Sequence, residues 1–263
     1  MLRTPGHSLR ERYDDLEIDF FAATNMMLLM PLLAYSAHIS QSYWAHLSES
    51  SVRTIVSVVV VIVISTILGW HATKTRKEQN ICKLGWEGEL KTAEELNQLM
   101  LDGCRVYHDL IYQYGNIDHI LVCSTGVYTI NTKTWSKLKT GLNRAKVAVD
   151  RPNQVFRFSQ GRTREIPVQA LQMEAKWLAN NLSNSTGKTV RIIPILALPG
   201  WFIDGASIRE DYGIINPKKC KSFFLNRREI LSSNEVQQIA FQVEQLVRNV
   251  TPSFKSEKKW KSS

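Results

Sequence analysis

Apolar residues are distributed along this chain in two regimes. From residue 52 to 70 almost every position is hydrophobic, through Ile55-Val56-Ser57-Val58-Val59-Val60-Val61-Ile62-Val63-Ile64, with no charge after Arg53. As a helix these 19 residues rise about 28 Å, close to the roughly 30 Å hydrocarbon thickness of a bilayer. Residues 20–39 form a second apolar run, interrupted by Asn25 and His38. It contains Pro31, a kink that membrane helices tolerate. The pattern predicts two transmembrane helices, about 20–39 and 52–70, joined as a hairpin. A secretory signal is the competing reading of the first run. The acidic stretch from Glu11 to Asp19 and the lack of a clear cleavage site argue against it.

Past a charged stretch, Lys74 to Asn80, hydrophobic positions become periodic. Residues 87–101 place Leu90, Ala93, Leu96 and Met100 on one helical stripe, and Gly103 supplies a stop. Strands are predicted at 104–112, 115–122 and 127–133, the last two joined by Ser124-Thr125-Gly126. Residues 146–159 suggest a further hairpin around Arg151-Pro152-Asn153. A second amphipathic helix, 168–182, turns Leu171, Ala175, Leu178 and Leu182 inward; a strand at 190–198 and a helix at 234–250 follow. The order α-β-β-β-α-β predicts an α/β domain, a mixed sheet flanked by helices. The organisation read from the sequence is an N-terminal segment (1–19), two spans (20–70), a linker (71–84), a domain (85–250) and a basic tail (251–263).

Polar residues interrupt the two hairpin strands in an informative way. Side chains alternate along a strand, so Asn131 and Lys133 point the same way. Folding back through the turn brings Asp118 opposite position 131 or 132. A carboxylate, an amide and an ammonium group then meet at one end of an apolar hairpin. Such a cluster is costly to bury unless paired or metal-bound. The simplest structural account is an Asp118–Lys133 ion pair that pins the hairpin.

Four motifs in order carry a resemblance: Gly85-Trp86-Glu87-Gly88-Glu89, Ile117-Asp118-His119, Asn131-Thr132-Lys133 and Pro167-Val168-Gln169. Over roughly residues 85–225 the chain resembles the nuclease-related domain (NERD) family, a branch of the PD-(D/E)xK nucleases. The resemblance implies a restriction-endonuclease-like fold and metal-dependent hydrolysis of phosphodiester bonds in DNA. It implies Asp118, Asn131 and Glu89 as ligands of Mg²⁺ or Mn²⁺, cations that take oxygen donors. Lys133 would act at the phosphate and Gln169 would complete the catalytic set from the second helix. The family more often carries Glu or Asp where this chain has Asn131. A catalytically weak or silent, membrane-tethered nucleic-acid-binding module is therefore the second expectation, and a membrane scaffold with a basic surface the third. His119, alternating away from Asp118, reads as a core histidine, and Glu87 as a solvated neighbour.

Charge adds a direction. The chain carries +9 overall, yet through Trp70 it has four Lys+Arg against six Asp+Glu, so residues 71–263 hold +11. That excess suits phosphate polyanions or an anionic lipid surface. Arg157, Arg162 and Arg164 lie near Phe156 and Phe158, a mixture suited to phosphate and base contacts. Cations flank the two spans (Arg3, Arg10 and Arg12 before, Lys74, Arg76, Lys77 and Lys83 after) and are absent from residues 40–51. This places both termini and the domain in the cytoplasm, at a bacterial-type inner membrane. Tyr43, Trp44 and Trp70 suit its interfaces. Four scattered cysteines, Cys82, Cys104, Cys123 and Cys220, form no zinc-ligand pattern and fit a reducing compartment.

Overall fold

Two long helices open the chain, α1 (His7–Trp44) and α2 (Ser51–Asn97). The computed structural model describes residues 3–44, 51–137, 140, 143–159, 161–209 and 211–248. The basic tail, 251–263, lies outside the described residues. The chain divides into two compact units: Ser8–Lys83, and Met1–His7 together with Leu84–Ser263.

In the first unit α1 and α2 pack antiparallel. The Arg76 guanidinium lies 5.4 Å from the Phe20 ring centroid, and a methyl group at Gly69 would lie 3.6 Å from Met27 Sδ. Near the other end, Tyr35 and His38 share a cavity with Thr54 and Val58. Ala23 and Ala72 are buried, while Leu28, Leu32, Val59 and Ile62 stay exposed. Small residues inside and large apolar residues outside is the pattern of helices packed in lipid. Stretches within His7–Gln41 and Thr54–Asp102 are long and apolar enough to cross a membrane. α1 runs through Pro31 without ending. Residues 71–84, expected as a linker, are helical throughout. The segment contains Lys, Arg, Glu and Gln, all good helix formers, and no Gly or Pro.

The second unit is α/β. The last turns of α2 run into a 3₁₀ turn that ends at Gly103, with φ +86°, the left-handed stop that glycine favours. Three antiparallel strands follow: β1 (Arg105–Tyr112), β2 (Gly115–Cys123) and β3 (Gly126–Thr132). A small-sheet insertion, β4 (Lys146–Asp150), β5 (Val155–Phe158) and β6 (Thr163–Glu165), leads into α3 (Val168–Thr186) and β7 (Ile192–Ala197). Three short strands come next, β8 (Phe202–Asp204), β9 (Ser207–Ile208) and β10 (Gly213–Ile215). Helices α4 (Cys220–Leu225) and α5 (Ser233–Arg248) complete the described chain.

The main sheet has the order β1-β2-β3-β7-β10-β9 and is mixed, since β3–β7 and β7–β10 are parallel. β2, β3 and β7 are buried on both faces. One face packs Ile120, Val122 and Val127 against Leu178 and Leu182 of α3 and Val243 of α5. The other packs Leu121, Tyr128 and Ile195 against Leu96 and Leu99 and against Phe224 of α4. A second sheet, β6-β5-β4-β8, has its own core of Phe156, Phe158 and Trp201. The expected α-β-β-β-α-β order is present, with β4, β5 and β6 of the second sheet inserted between β3 and α3 and its fourth strand, β8, following β7. All four cysteines are free and buried.

Candidate active site

The site begins with a glycine. A methyl group at Gly88 would lie 1.8 Å from Thr134 Oγ1, so the absence of a side chain lets the segment after β3 rest directly on α2. Thr92 Oγ1 donates to the Gly88 carbonyl at 2.9 Å across the same turn. The next residue, Glu89, is buried, whereas Glu87 is exposed. The close approach thus delivers the Glu89 carboxylate to the end of the β2–β3 hairpin.

That hairpin pairs His119 with Ile130, which sets Asp118 beside Asn131 as its pattern predicts. Asp118 Oδ2 accepts from the Thr132 N–H at 2.7 Å. Asn131 Nδ2 donates to Glu174 Oε1 of α3 at 3.1 Å. The Lys133 N–H donates to the Ala197 carbonyl of β7 at 3.0 Å, which fixes where its side chain leaves the sheet. Lys133 is half-buried and makes no ion pair within 4 Å among the described residues. The simple ion pair with Asp118 is not what holds this hairpin.

Two further groups reach the cluster from places the motifs do not mark. Asp109 shares the rung of Asp118, between the His108–His119 and Leu110–Ile117 pairs, and its φ is +52°. It is fully buried and accepts from Asn116 Nδ2 at 2.9 Å and from Arg3 Nη1 at 2.8 Å. Gly6, φ +66°, passes so near that a methyl group there would lie 2.5 Å from Trp86 Cδ1 and 3.5 Å from Glu89 Oε2. Arg3 and Gly6, ahead of α1, therefore belong to this site.

Burial raises the three main carboxyl groups, and their mutual repulsion adds to it. Glu89 is pushed up to about 9, by burial first, then by Asp118 and Asp109, with Lys133 pulling down. Glu174 rises to about 8 by burial and Asp118, against Lys133 and the Asn131 amide. Asp118 rises to about 6, where burial outweighs the Thr132 N–H and Lys133. Three buried oxygens here, Glu89 Oε2, Asn131 Oδ1 and Glu174 Oε2, have no hydrogen-bond partner among the described residues. Buried acceptors without a donor are uncommon, and affinity for a cation is one physical reason for them.

Residues 84–199 match the family model of the nuclease-related domain (NERD). This stretch is a nuclease-related domain. Neither the curated proteins nor the solved structures hold a significant match to the chain.

The NERD stretch contains Glu89, Asp118, Asn131, Lys133 and Glu174, and it contains Gln169 as well. Gln169 is exposed in the first turn of α3 and makes no side-chain hydrogen bond to the cluster among the described residues. Glu174 is the residue that α3 delivers in buried contact with Asn131. Its signal was present in the sequence, because it interrupts the inward stripe between Leu171 and Leu178. His119 is fully buried, with Nδ1 2.9 Å from His108 Nδ1 and Nε2 3.3 Å from Thr132 Oγ1. Burial lowers both imidazoles, His108 to about 4; His119 lies in the core and His108 is half-buried.

The three arginines of the NERD insertion do not form one cluster. Phe156 pairs with Arg164, and the Phe158 N–H donates to the Arg162 carbonyl. Opposed residues share a face, so Arg162 and Arg164 lie on the aromatic side. Their guanidinium carbons sit 5.6 Å from the Phe158 centroid and 5.5 Å from that of Trp135. Arg157 falls on the opposite face, where its Nε donates to Asp150 at 2.9 Å.

Proposed function

We propose that the nuclease-related domain is a divalent-metal-dependent phosphodiesterase acting on DNA. We further propose a restriction-endonuclease-like core. In this reading α1 and α2 hold it at an inner membrane, with both termini on the cytoplasmic side. The observation that carries the proposal is the group of three partnerless oxygens beside Asp118, with an uncommitted Lys133 amid them.

The donors fit Mg²⁺ or Mn²⁺ in kind, being oxygen throughout. Among the described residues, no three His, Cys, Asp or Glu side chains form a group that could hold an ion. Mg²⁺ does not require such a cage, since it keeps several waters and binds through one or two carboxylates plus substrate phosphate. Asp118, Glu89 and the Asn131 carbonyl oxygen would hold it. A bound ion would polarise the phosphate and supply an activated water.

The chain's own residues do the positioning. The Thr132 N–H fixes the Asp118 carboxylate. Glu174 accepts from Asn131 Nδ2, which leaves Oδ1 without a donor among the described residues. Its carboxyl group, kept protonated by burial, would supply the negative charge that Asn131 lacks once a nearby cation displaced that proton. Lys133, held by its backbone to β7 and free of an ion pair, stabilises charge developing on the phosphate. The neutral Asn131 favours one second reading, a DNA-binding module that does not cut.

The test uses the full-length chain in detergent with plasmid and linear DNA, supplied with Mg²⁺, Mn²⁺ or EDTA. Cutting that requires metal and disappears in both Asp118→Ala and Lys133→Ala is the expected result. Binding without cutting, in a folded chain, would select the second reading.

A further inference from the structure

A groove of about 250 Å³ opens beside the carboxylate cluster, between α2 and the segment that follows Lys133. Its walls include Gly88 and Lys91 on one side, Thr134, Trp135 and Lys137 on the other, and Gly200 across the end. We propose that this groove binds a phosphate of the nucleic-acid strand flanking the one to be cut, with Lys91, Lys137 and Thr134 as its contacts. This rests on the nuclease reading of the adjacent site.

Position is the first argument. Gly88 precedes Glu89, and Thr134 follows Lys133, so the groove continues directly from the catalytic end of β3. A strand with its scissile phosphate at Lys133 has its next phosphate within reach of this channel, since successive phosphates lie only a few ångströms apart (about 3.4 Å of rise per nucleotide in a duplex).

Charge is the second. Lys91 and Lys137 are both exposed and neither makes an ion pair within 4 Å among the described residues. Burial lowers the Lys137 ammonium, and Lys91, Arg144 and Lys218 add their repulsion. Four cations therefore gather where a polyanion would neutralise them. Glu87 is the one carboxylate in the lining, and it is exposed.

The third argument is that the groove is shaped around Lys137. The ammonium lies 5.8 Å from the Trp201 ring centroid, and a methyl group at Gly200, φ +76°, would lie 2.9 Å from its Nζ. Glycine at that position lets the lysine lie along the wall. Thr134 lines the same groove, and its Oγ1, sealed against Gly88, has no hydrogen-bond partner among the described residues. A rotation about its Cα–Cβ bond would let that hydroxyl donate to a phosphate oxygen. Neutral donors of this kind commonly fix the register of a strand alongside lysines.

Salt dependence reads the contact directly, because each phosphate neutralised releases counterions. Labelled DNA is titrated with the full-length chain in detergent and EDTA, between about 50 and about 200 mM salt. Lys91→Ala and Lys137→Ala should each make the plot of log affinity against log salt shallower by about one, and the pair by about two. Thr134→Val should weaken binding several-fold with the slope unchanged. Lys176→Ala, an exposed cation on α3, should leave the slope as it is.

Unchanged slopes in the lysine variants, or an equal effect of Lys176→Ala, would overturn the groove. Metal-dependent cutting in that same chain would leave the nuclease reading standing. Shallower slopes in a chain that binds but never cuts would support the groove and overturn catalysis. No DNA binding by the unaltered chain would overturn both.

Discussion

At the scale of single residues the site turns on Asn131 and Glu174. The Asn131 amide gives Glu174 its hydrogen bond, so Asn131→Asp places two carboxyl groups face to face. Without metal the variant should lose about 1–3 kcal/mol, the penalty for a buried acceptor left unpaired. With Mn²⁺ it should regain stability, because the added carboxylate is a stronger ligand; melting curves with and without the ion check both. A second expectation concerns pH. Glu174 rises from 4.5 to about 8 and Glu89 from 4.5 to about 9, so the folded chain keeps protons that the unfolded chain has released. Their stabilising contribution is complete below about 4.5 and is lost as pH rises through 8 and 9. Unfolding of the metal-free chain, followed across that window, should show falling stability, and Glu174→Gln should flatten the part ending near 8. Asp118, Asn131, Lys133 and Glu89 were legible in the sequence because polar groups stand out on apolar strands and beside a glycine motif. Gln169 lies outside the cluster because a motif gives order along the chain, whereas the helix face is set by packing, and that packing turns Glu174 inward.

At the scale of elements, the long periodic segments were readable and the short ones were not. Residues 168–182 and 234–250 fall almost entirely within α3 and α5, and the β2–β3 register follows from alternation alone. β6, β8, β9 and β10 have two or three residues each, too few for any period to appear. They exist because neighbouring strands offer them an edge. The split of the three arginines follows from the same cause, since it depends on the β5–β6 pairing. The contact between α2 and the segment after β3 makes its own prediction. Gly88→Ala forces Thr134 aside and should destabilise the domain by about 1–3 kcal/mol, with Glu89 displaced and metal affinity reduced. Thr134→Ala in the same chain should restore only part of this, since the Thr134 Cβ itself would lie 2.9 Å from the new methyl group. Denaturation midpoints of the single and double variants measure the difference.

At the scale of the whole molecule, a helical hairpin and an α/β nuclease-related domain share one chain, and the sequence divides them by hydropathy alone. What hydropathy could not show is that Arg3 and Gly6, encoded ahead of both long helices, are part of the domain that follows them. Arg3 and Asp109 are both nearly sealed from solvent, with side-chain exposures of 10% and 0%. Breaking such a pair typically costs about 3–5 kcal/mol, so Arg3→Ala should lower the melting temperature even though it lies 106 positions from its partner. A soluble fragment beginning at Leu84 lacks the same guanidinium and should be the less stable for it; supplying residues 1–7 by a flexible linker in place of the helices should recover much of the loss. On the proposed membrane reading, the pair would also act as a parity check on insertion. With α1 and α2 as spans, Arg3 would reach Asp109 only when the intervening chain crossed the bilayer an even number of times and kept its N-terminus. A molecule inserted with a single crossing, or clipped like a secreted protein, would then be left with a defective carboxylate cluster, so that correct topology would be a condition for assembling the site.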